Sequence, residues 1–182
     1  MTLRPRCFIL ALALVVWGHP FADSAIAGSS GTVAIVDPAV LEALLPAPDG
    51  WTIARQHSKQ VIKPEYMHSF AEVILKREAM TVRLTLADTD GNQGSLMALA
   101  TMIMTLREDF IGEVPPATMI RRVTIGGMPA AERWSTADGD GEVSVLIGKR
   151  FVIAADGTKL DSLDTLRRIV ESIDFKKVAA LQ

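Results

Sequence analysis

Alternation of apolar and polar residues with a period of two is the sequence feature that most restricts the fold of this chain. Ala71, Val73 and Leu75 alternate with polar residues, and after a turn near 77–79 the same alternation continues over 80–86. Residues two apart point to the same side of a strand, so each run predicts a strand with one covered face. Two such runs joined by a short turn predict an antiparallel pair.

Four further strands are predicted in the C-terminal half of the chain. These runs are rich in β-branched residues and are separated by short connections containing glycine, aspartate or both. Such short connections favour an antiparallel meander. The predicted strands are residues 119–125, 130–135, 142–147 and 151–155.

Helices are predicted before, between and after these two groups of strands. Asp37 followed by Pro38 is typical of a helix start, with aspartate as N-cap and proline at the first helical position. Asp161 or Ser162 begins a final amphipathic helix, and a short helical segment follows from about 174. The central helix is described below with the candidate binding residues.

Strands in consecutive runs with helices between the runs predict an α+β fold, because a doubly wound sheet would need strict alternation of strand and helix. We expect a single α+β domain over residues 37–182, with an antiparallel sheet of about six strands packed with helices. Residues 28–36 are expected to form a flexible leader or an edge strand.

The first 27 residues are predicted to be a Sec-type signal peptide. Arg4 and Arg6 precede an apolar run over 7–17, which is shorter than the roughly 20 apolar residues that span a bilayer. A small-x-small tripeptide ends at Ala27, so we predict cleavage after this residue. The mature protein would then be periplasmic or secreted and would have no membrane span. The alternative is an uncleaved membrane anchor.

Composition limits the possible functions of the mature chain. Cleavage would remove Cys7, the single cysteine, and would change the formal net charge from −2 to −3. A chain without cysteine forms no disulfide, so its stability must come from apolar burial. No cluster of positive charge is visible, and we therefore expect no nucleic-acid partner.

A wide apolar helix over 95–107 provides the candidate binding residues. Met97, Met102 and Met104 extend its apolar stripe on both shoulders, beyond what a helix lying on one sheet face requires. The favoured interpretation is burial, because methionine fills irregular gaps in cores. The alternative is that these methionines form a surface that contacts a ligand or partner. Trp51, which follows a turn, is either part of the same surface or a core residue.

Known metal and catalytic motifs are not matched. Residues 88–92 resemble the start of a calcium loop, but the sixth position is Gln93 and the twelfth is Leu99, so a surface turn is the better interpretation. His57 and His68 fit no zinc spacing. The mature chain contains neither a Gly-x-Ser-x-Gly elbow nor a cysteine nucleophile. We assign no catalytic, cofactor-binding or metal-binding residue and expect no cofactor.

Several short segments resemble a group of uncharacterised bacterial exported proteins: Leu-Leu-Pro-Ala-Pro-Asp-Gly-Trp at 44–51, Ile-Gly-Gly at 125–127 and Ile-Asp-Phe at 173–175. The order of elements and the ending at 166–175 are also similar to the PsbP-like fold, an antiparallel sheet between helices. This resemblance implies a small non-enzymatic accessory or binding domain. It carries over no functional residues.

Three hypotheses of function follow. The first is a non-catalytic periplasmic binding or accessory protein whose partner is an unknown protein or small-molecule ligand of the envelope. The second is a metal-handling protein that uses His57, His68, acidic loops or methionines. The third is an enzyme of unrecognised type, which a carboxylate with a perturbed pKa in a concave pocket would indicate.

Overall fold

The computed structural model describes residues 34–63, 66–90 and 118–182, which belong to one compact unit. Within these ranges the chain forms a seven-stranded antiparallel sheet and three short helices, so the predicted α+β class is confirmed. The strands are β1 Thr52–Lys63, β2 Tyr66–Arg77, β3 Met80–Asp88, β4 Thr118–Ile125, β5 Met128–Ser135, β6 Asp140–Ile147 and β7 Phe151–Thr158. The helices are α1 Pro38–Glu42, α2 Leu163–Glu171 and α3 Phe175–Ala179.

The sheet joins two meanders. Its strand order is β1-β2-β3-β7-β6-β5-β4, and every neighbouring pair is antiparallel. The first meander contains β1 to β3, the second contains β4 to β7, and the β3–β7 pair connects them. β1 and β4 therefore form the two edges. The helix predicted over 95–107 lies outside the described residues.

The number of strands corrects the sequence prediction of about six. The strand without a clear prediction is β1, whose residues 52–57 are all exposed. A strand with no covered face is under no pressure to alternate apolar and polar residues, so β1 lacks the pattern that identified β2 and β3.

One face of the sheet carries the core, and we call it the inner face. The register places the buried residues of neighbouring strands opposite one another, as in Val73 with Leu84 and Leu86 with Ile153. Helix α2 covers this face with Leu166, which is completely buried. Burial of one such side chain stabilises the fold by about 1.5–3 kcal/mol. The fully buried aliphatic residues of the central strands are Ala71, Val73, Leu75, Val82, Leu84, Leu86, Val143, Val145, Ile147, Ile153 and Ala155.

The predicted starts of the flanking helices are confirmed. The Oδ1 atom of Asp37 accepts a hydrogen bond from the Ala39 N–H at 2.8 Å, and Pro38 is the first residue of α1. Ser162 is the N-cap residue of α2. On α2 the Arg167 side chain is half-buried and binds Glu132. No helix within the described ranges is long and apolar enough to cross a membrane.

A pair of glycines lets α2 approach the sheet. Gly141 and Gly157 are opposite each other in the β6–β7 register. A Cβ atom on Gly141 would lie 2.8 Å from a ring carbon of Trp134 and 3.1 Å from Leu166, and one on Gly157 would lie 3.0 Å from Leu166. Only glycine leaves room for the helix here. We call the opposite side of the sheet the outer face.

Candidate functional site

Four charged residues form a row across the outer face of the sheet. β3, β7, β6 and β5 are consecutive neighbours, and their registers pair Arg83 with Asp156, Asp156 with Glu142, and Glu142 with Arg133. We call these four residues the charged row. Neighbouring strands are about 4.8 Å apart, so the two arginines are separated by three spacings, about 14 Å, with both carboxylates between them.

The two carboxylates of the charged row differ in their contacts. The Arg133 Nε–H donates to Oε2 of Glu142 at 3.3 Å. Arg83 turns toward the neighbouring strand β2, where its Nε is 3.5 Å from Oε2 of Glu72. Within the described part of the chain, no cationic nitrogen lies within 4.0 Å of the Asp156 carboxylate. Asp156 is thus the member of the row without a direct counter-ion.

Both carboxylates are held where ionisation is unfavourable. Burial raises the pKa of Asp156 and the charge of Glu72 adds to this effect, while Arg83 and Arg133 oppose it without cancelling it. Burial also raises the pKa of Glu142, and the neighbouring charge of Asp156 raises it further against the opposing effect of Arg133. Desolvation together with a like charge is the usual origin of raised carboxyl pKa values at functional sites.

A concavity of about 240 Å³ lies against three residues of the charged row, Arg83, Arg133 and Asp156, while Glu142 is not part of its lining. Pockets for drug-sized ligands are typically about 300–1,000 Å³, so the space suits a smaller molecule. The lining residues are Ile74, Thr81, Arg83, Arg133, Asp140, Gly141, Asp156, Gly157 and Thr158.

The lining of the concavity can bind positive and negative groups at once. Arg83 and Arg133 supply guanidinium donors, and Asp140 and Asp156 supply carboxylate acceptors. The two kinds of charge are equal in number, so the lining has no net charge. Two opposite charges at separate points match a zwitterion or a strongly polar neutral molecule better than a simple ion.

Among the predicted binding residues, only Trp51 lies in the described ranges. Its side chain is 8% exposed and belongs to the core, and the Arg77 guanidinium lies 4.8 Å from the ring centroid. Met97, Met102 and Met104 lie outside the described residues. The candidate binding surface on these four residues therefore stays a prediction.

The two histidines lie on either side of Phe70, and the structure does not bring them together with carboxylates as a metal site. Ring centroids are 5.9 Å apart for His57 and Phe70, and 6.2 Å apart for His68 and Phe70. Within the described ranges, no group of three or more histidine, cysteine, aspartate or glutamate side chains is arranged to hold a metal ion.

Asp88, which the sequence analysis placed in a surface turn, is instead buried in an ion pair. Arg150 donates from Nε to Oδ1 and from Nη2 to Oδ2, both at 2.7 Å. The Val36 N–H donates to the same carboxylate at 2.8 Å, and Arg150 also donates to the Ala34 carbonyl at 2.8 Å. Burial raises the pKa of Asp88, but these hydrogen bonds outweigh it and hold the pKa below its usual value. The pair fixes residues 34–36 to the sheet.

Glu132 is the centre of a second buried ion-pair group, on the inner face. Its side chain is fully buried and accepts hydrogen bonds from Arg121 Nε at 2.8 Å and from Arg167 Nη2 at 2.7 Å. Burial raises the pKa of Glu132, and the two arginines more than compensate, so the pKa is lowered. The group links α2 to the edge of the sheet formed by β4 and β5. Its role is structural.

The charged row could not be predicted from the sequence. Alternation placed Arg83 on the polar side of a strand. Arg133 and Glu142 lay in strands predicted from β-branched residues, and Asp156 followed the predicted strand 151–155. The row appears only when the strand order and register are known, because β3 and β7 are distant in sequence. No family model, curated protein or solved structure matches this chain.

Proposed function

We propose that this protein is an exported, non-catalytic binding or accessory domain of the bacterial envelope, and that it binds a small zwitterionic ligand over the charged row. The observation that carries the proposal is a concavity lined by Arg83, Arg133 and the Asp156 carboxylate, whose pKa is raised and whose neighbour in the register is Glu142, also with a raised pKa.

Comparison within the same protein supports a binding role for this pair. Asp88 and Glu132 have lowered pKa values because arginines bind them directly. Asp156 and Glu142 have raised values although two arginines lie in the same row. The two carboxylates with a structural role therefore have their charges balanced by arginines of the fold. Carboxylates that remain under-compensated at a concave surface are typical of sites that a ligand completes.

The chemistry of the row favours one ligand class. An ammonium group bound to Asp156 would compensate the charge that repels Glu142, and a carboxylate on the same molecule would bind Arg83 or Arg133. Free amino acids and short peptides carry both groups. The lining offers threonine hydroxyls in addition, which add hydrogen bonds without adding charge.

Two finer parts of the proposal come from the sequence. Removal of residues 1–27 would place the protein in the periplasm or the medium, and mass spectrometry of natively produced protein should find Gly28 as the first residue. The PsbP-like resemblance favours an accessory role; the antiparallel sheet agrees with it, whereas the described helices pack on the inner face and not on both faces.

The proposal is tested by following backbone amide resonances while a ligand is added. The probes are glycine, L-lysine and L-arginine, with acetate and methylamine as single-charge controls. We expect shifts at residues 81–83, 133, 141 and 156–158 with the zwitterions, and a loss of at least tenfold in affinity in Asp156→Asn. Asp49→Asn changes an exposed aspartate in a distant turn and should leave binding unchanged.

Two results would contradict the proposed function. One is the absence of any shift with the five probes at concentrations up to about 10 mM, which corresponds to a binding free energy weaker than about −3 kcal/mol. The other is equal loss of binding in Asp156→Asn and Asp49→Asn, which would show a general charge effect instead of a site.

A further inference from the structure

Within the described ranges, β1 forms a long free edge of the sheet. It has 12 residues, while β4 at the opposite edge has 8. Among the described elements no strand pairs with its outer side. A register shift lies between Ile53 and Arg55, and from Arg55 to the end of the strand the pairing with β2 is continuous. Edge strands leave backbone N–H and C=O groups unpaired, and a bulge protects only the part of the edge where it occurs.

The end of this edge also extends beyond the rest of the sheet. β2 pairs with β3 only from Ser69 onward, while its pairing with β1 continues to Tyr66. The last part of the β1–β2 hairpin therefore projects past β3. Ile62 is 67% exposed there, the largest exposure among the large apolar residues of the described ranges.

The charge of β1 has one sign. Arg55, Lys59 and Lys63 are positive, and residues 52–63 contain no aspartate or glutamate. On the outer face Glu72 of β2 faces His57 in the register and binds Arg83. Arg55 and Lys59 are exposed and lie on the same side of the strand, four residues apart, or about 13 Å along its axis.

The positive charge of β1 determines which kind of strand can pair with this edge. Pairing with β1 of a second copy would bring two sets of three positive charges together, and like charges across strands are destabilising. An extended segment with glutamate or aspartate at alternate positions would instead face Arg55 and Lys59 with opposite charge. Self-association is therefore disfavoured by the same residues that favour an acidic strand.

We infer that the free edge of β1 is the docking site for an extended, acidic segment of a partner protein, which adds to the sheet as an eighth strand. Main-chain hydrogen bonds supply the affinity, and the positive residues of β1 supply the selectivity. The inference is independent of the ligand site on the charged row, since it involves the edge strand β1 and none of the four residues of the row.

The test uses three capped peptides of twelve residues with alternating sequence: glutamate with valine, lysine with valine, and glutamate with proline. Binding is followed by the amide resonances of the isotope-labelled protein. We expect the glutamate–valine peptide to bind and shift residues 55–62, with affinity falling at least tenfold in Lys59→Glu. Lys149→Glu, in the exposed β6–β7 turn, is the matched control and should bind as the wild type does.

The controls separate strand addition from simple charge attraction. The glutamate–proline peptide keeps the charge but lacks half of the backbone donors, so it should bind at least tenfold more weakly. Binding of all anionic peptides with equal affinity, binding of the lysine–valine peptide, or no binding at all would overturn the inference. So would Lys59-dependent binding to phosphatidylglycerol vesicles without binding to the peptide, because the edge would then serve a membrane surface.

Discussion

Replacing Arg150 by methionine should be among the most destabilising single changes in the described part of the chain. The substitution keeps much of the side-chain volume and removes the guanidinium group. It deletes two hydrogen bonds of 2.7 Å to the Asp88 carboxylate and one of 2.8 Å to the Ala34 carbonyl. Asp88 is fully buried and would keep the Val36 and Asp90 N–H groups as donors.

The expected loss of stability follows from the Asp88 charge that remains buried without its arginine. Removal of one partner from a buried ion pair typically costs about 3–5 kcal/mol, because the other charge stays buried without compensation. The two retained backbone hydrogen bonds limit the loss, so we expect the free energy of unfolding to fall by about 3 kcal/mol in Arg150→Met. Asp88→Asn should cost less, since the Arg150 side chain that then remains is 10% exposed and keeps the Ala34 carbonyl as an acceptor, whereas Asp88 is fully buried.

The double variant separates the ion pair from packing. With both charges absent no uncompensated ion remains, so the double variant should lose at least about 1.5 kcal/mol less than the sum of the two single variants. The free energies come from urea unfolding at pH 7, monitored by far-ultraviolet circular dichroism. A loss below about 1 kcal/mol in Arg150→Met, or strict additivity in the double variant, would refute the reasoning.

The Asp88–Arg150 pair also makes the free energy of unfolding depend on pH. The folded pKa of Asp88 lies below its unfolded value, so in the interval between them the unfolded chain holds more protons. The contribution of the pair is therefore complete above the unfolded pKa of about 3.9 and is lost as the pH falls through the folded pKa. In Arg150→Met this acid-dependent loss should become smaller.

Four other substitutions test three separate features. Asp156→Asn should raise the free energy of unfolding at pH 7. The raised folded pKa of Asp156 gives stability that is present below about pH 3.9 and is lost as the pH rises through that folded pKa. Urea unfolding at pH 3.5 and 7 measures the difference, and a pH dependence unchanged by the substitution would argue against it. Leu166→Ala should cost about 2–5 kcal/mol in the same assay, and a loss under 1 kcal/mol would show that α2 does not anchor the inner face. Gly126→Ala should lower the melting temperature more than Gly127→Ala does. Both glycines have positive φ, but only at Gly126 would a Cβ lie 2.7 Å from the Phe175 ring. Equal losses of melting temperature would contradict this packing.

The elements that the sequence predicted are those with a covered face. Alternation identified β2 and β3 because one side of each is buried, and the stripe of α2 was recognised for the same reason. β1 has no covered face and gave no such pattern. The glycine pair Gly126 and Gly127 was also sufficient to predict the turn between β4 and β5. Both residues have the positive φ that a two-residue hairpin turn requires.

The candidate site depends on information that is not local. Asp88 begins a stretch rich in polar residues that favours a surface turn, but its partner Arg150 is 62 positions away and draws it into the interior. Likewise, Arg83 and Asp156 face each other only because β3 pairs with β7. The residue types were visible in the sequence, while the strand order that combines them was not.

The most direct test of the binding site is a measurement of the carboxyl pKa values of Asp156 and Glu142 by carbon-13 resonance titration, with and without L-lysine. Our account predicts that both pKa values lie above the ordinary values of about 3.9 and 4.3 in the free protein and fall when the ligand is bound. Ordinary pKa values in the free protein, or values that do not change when L-lysine is present in excess, would contradict it.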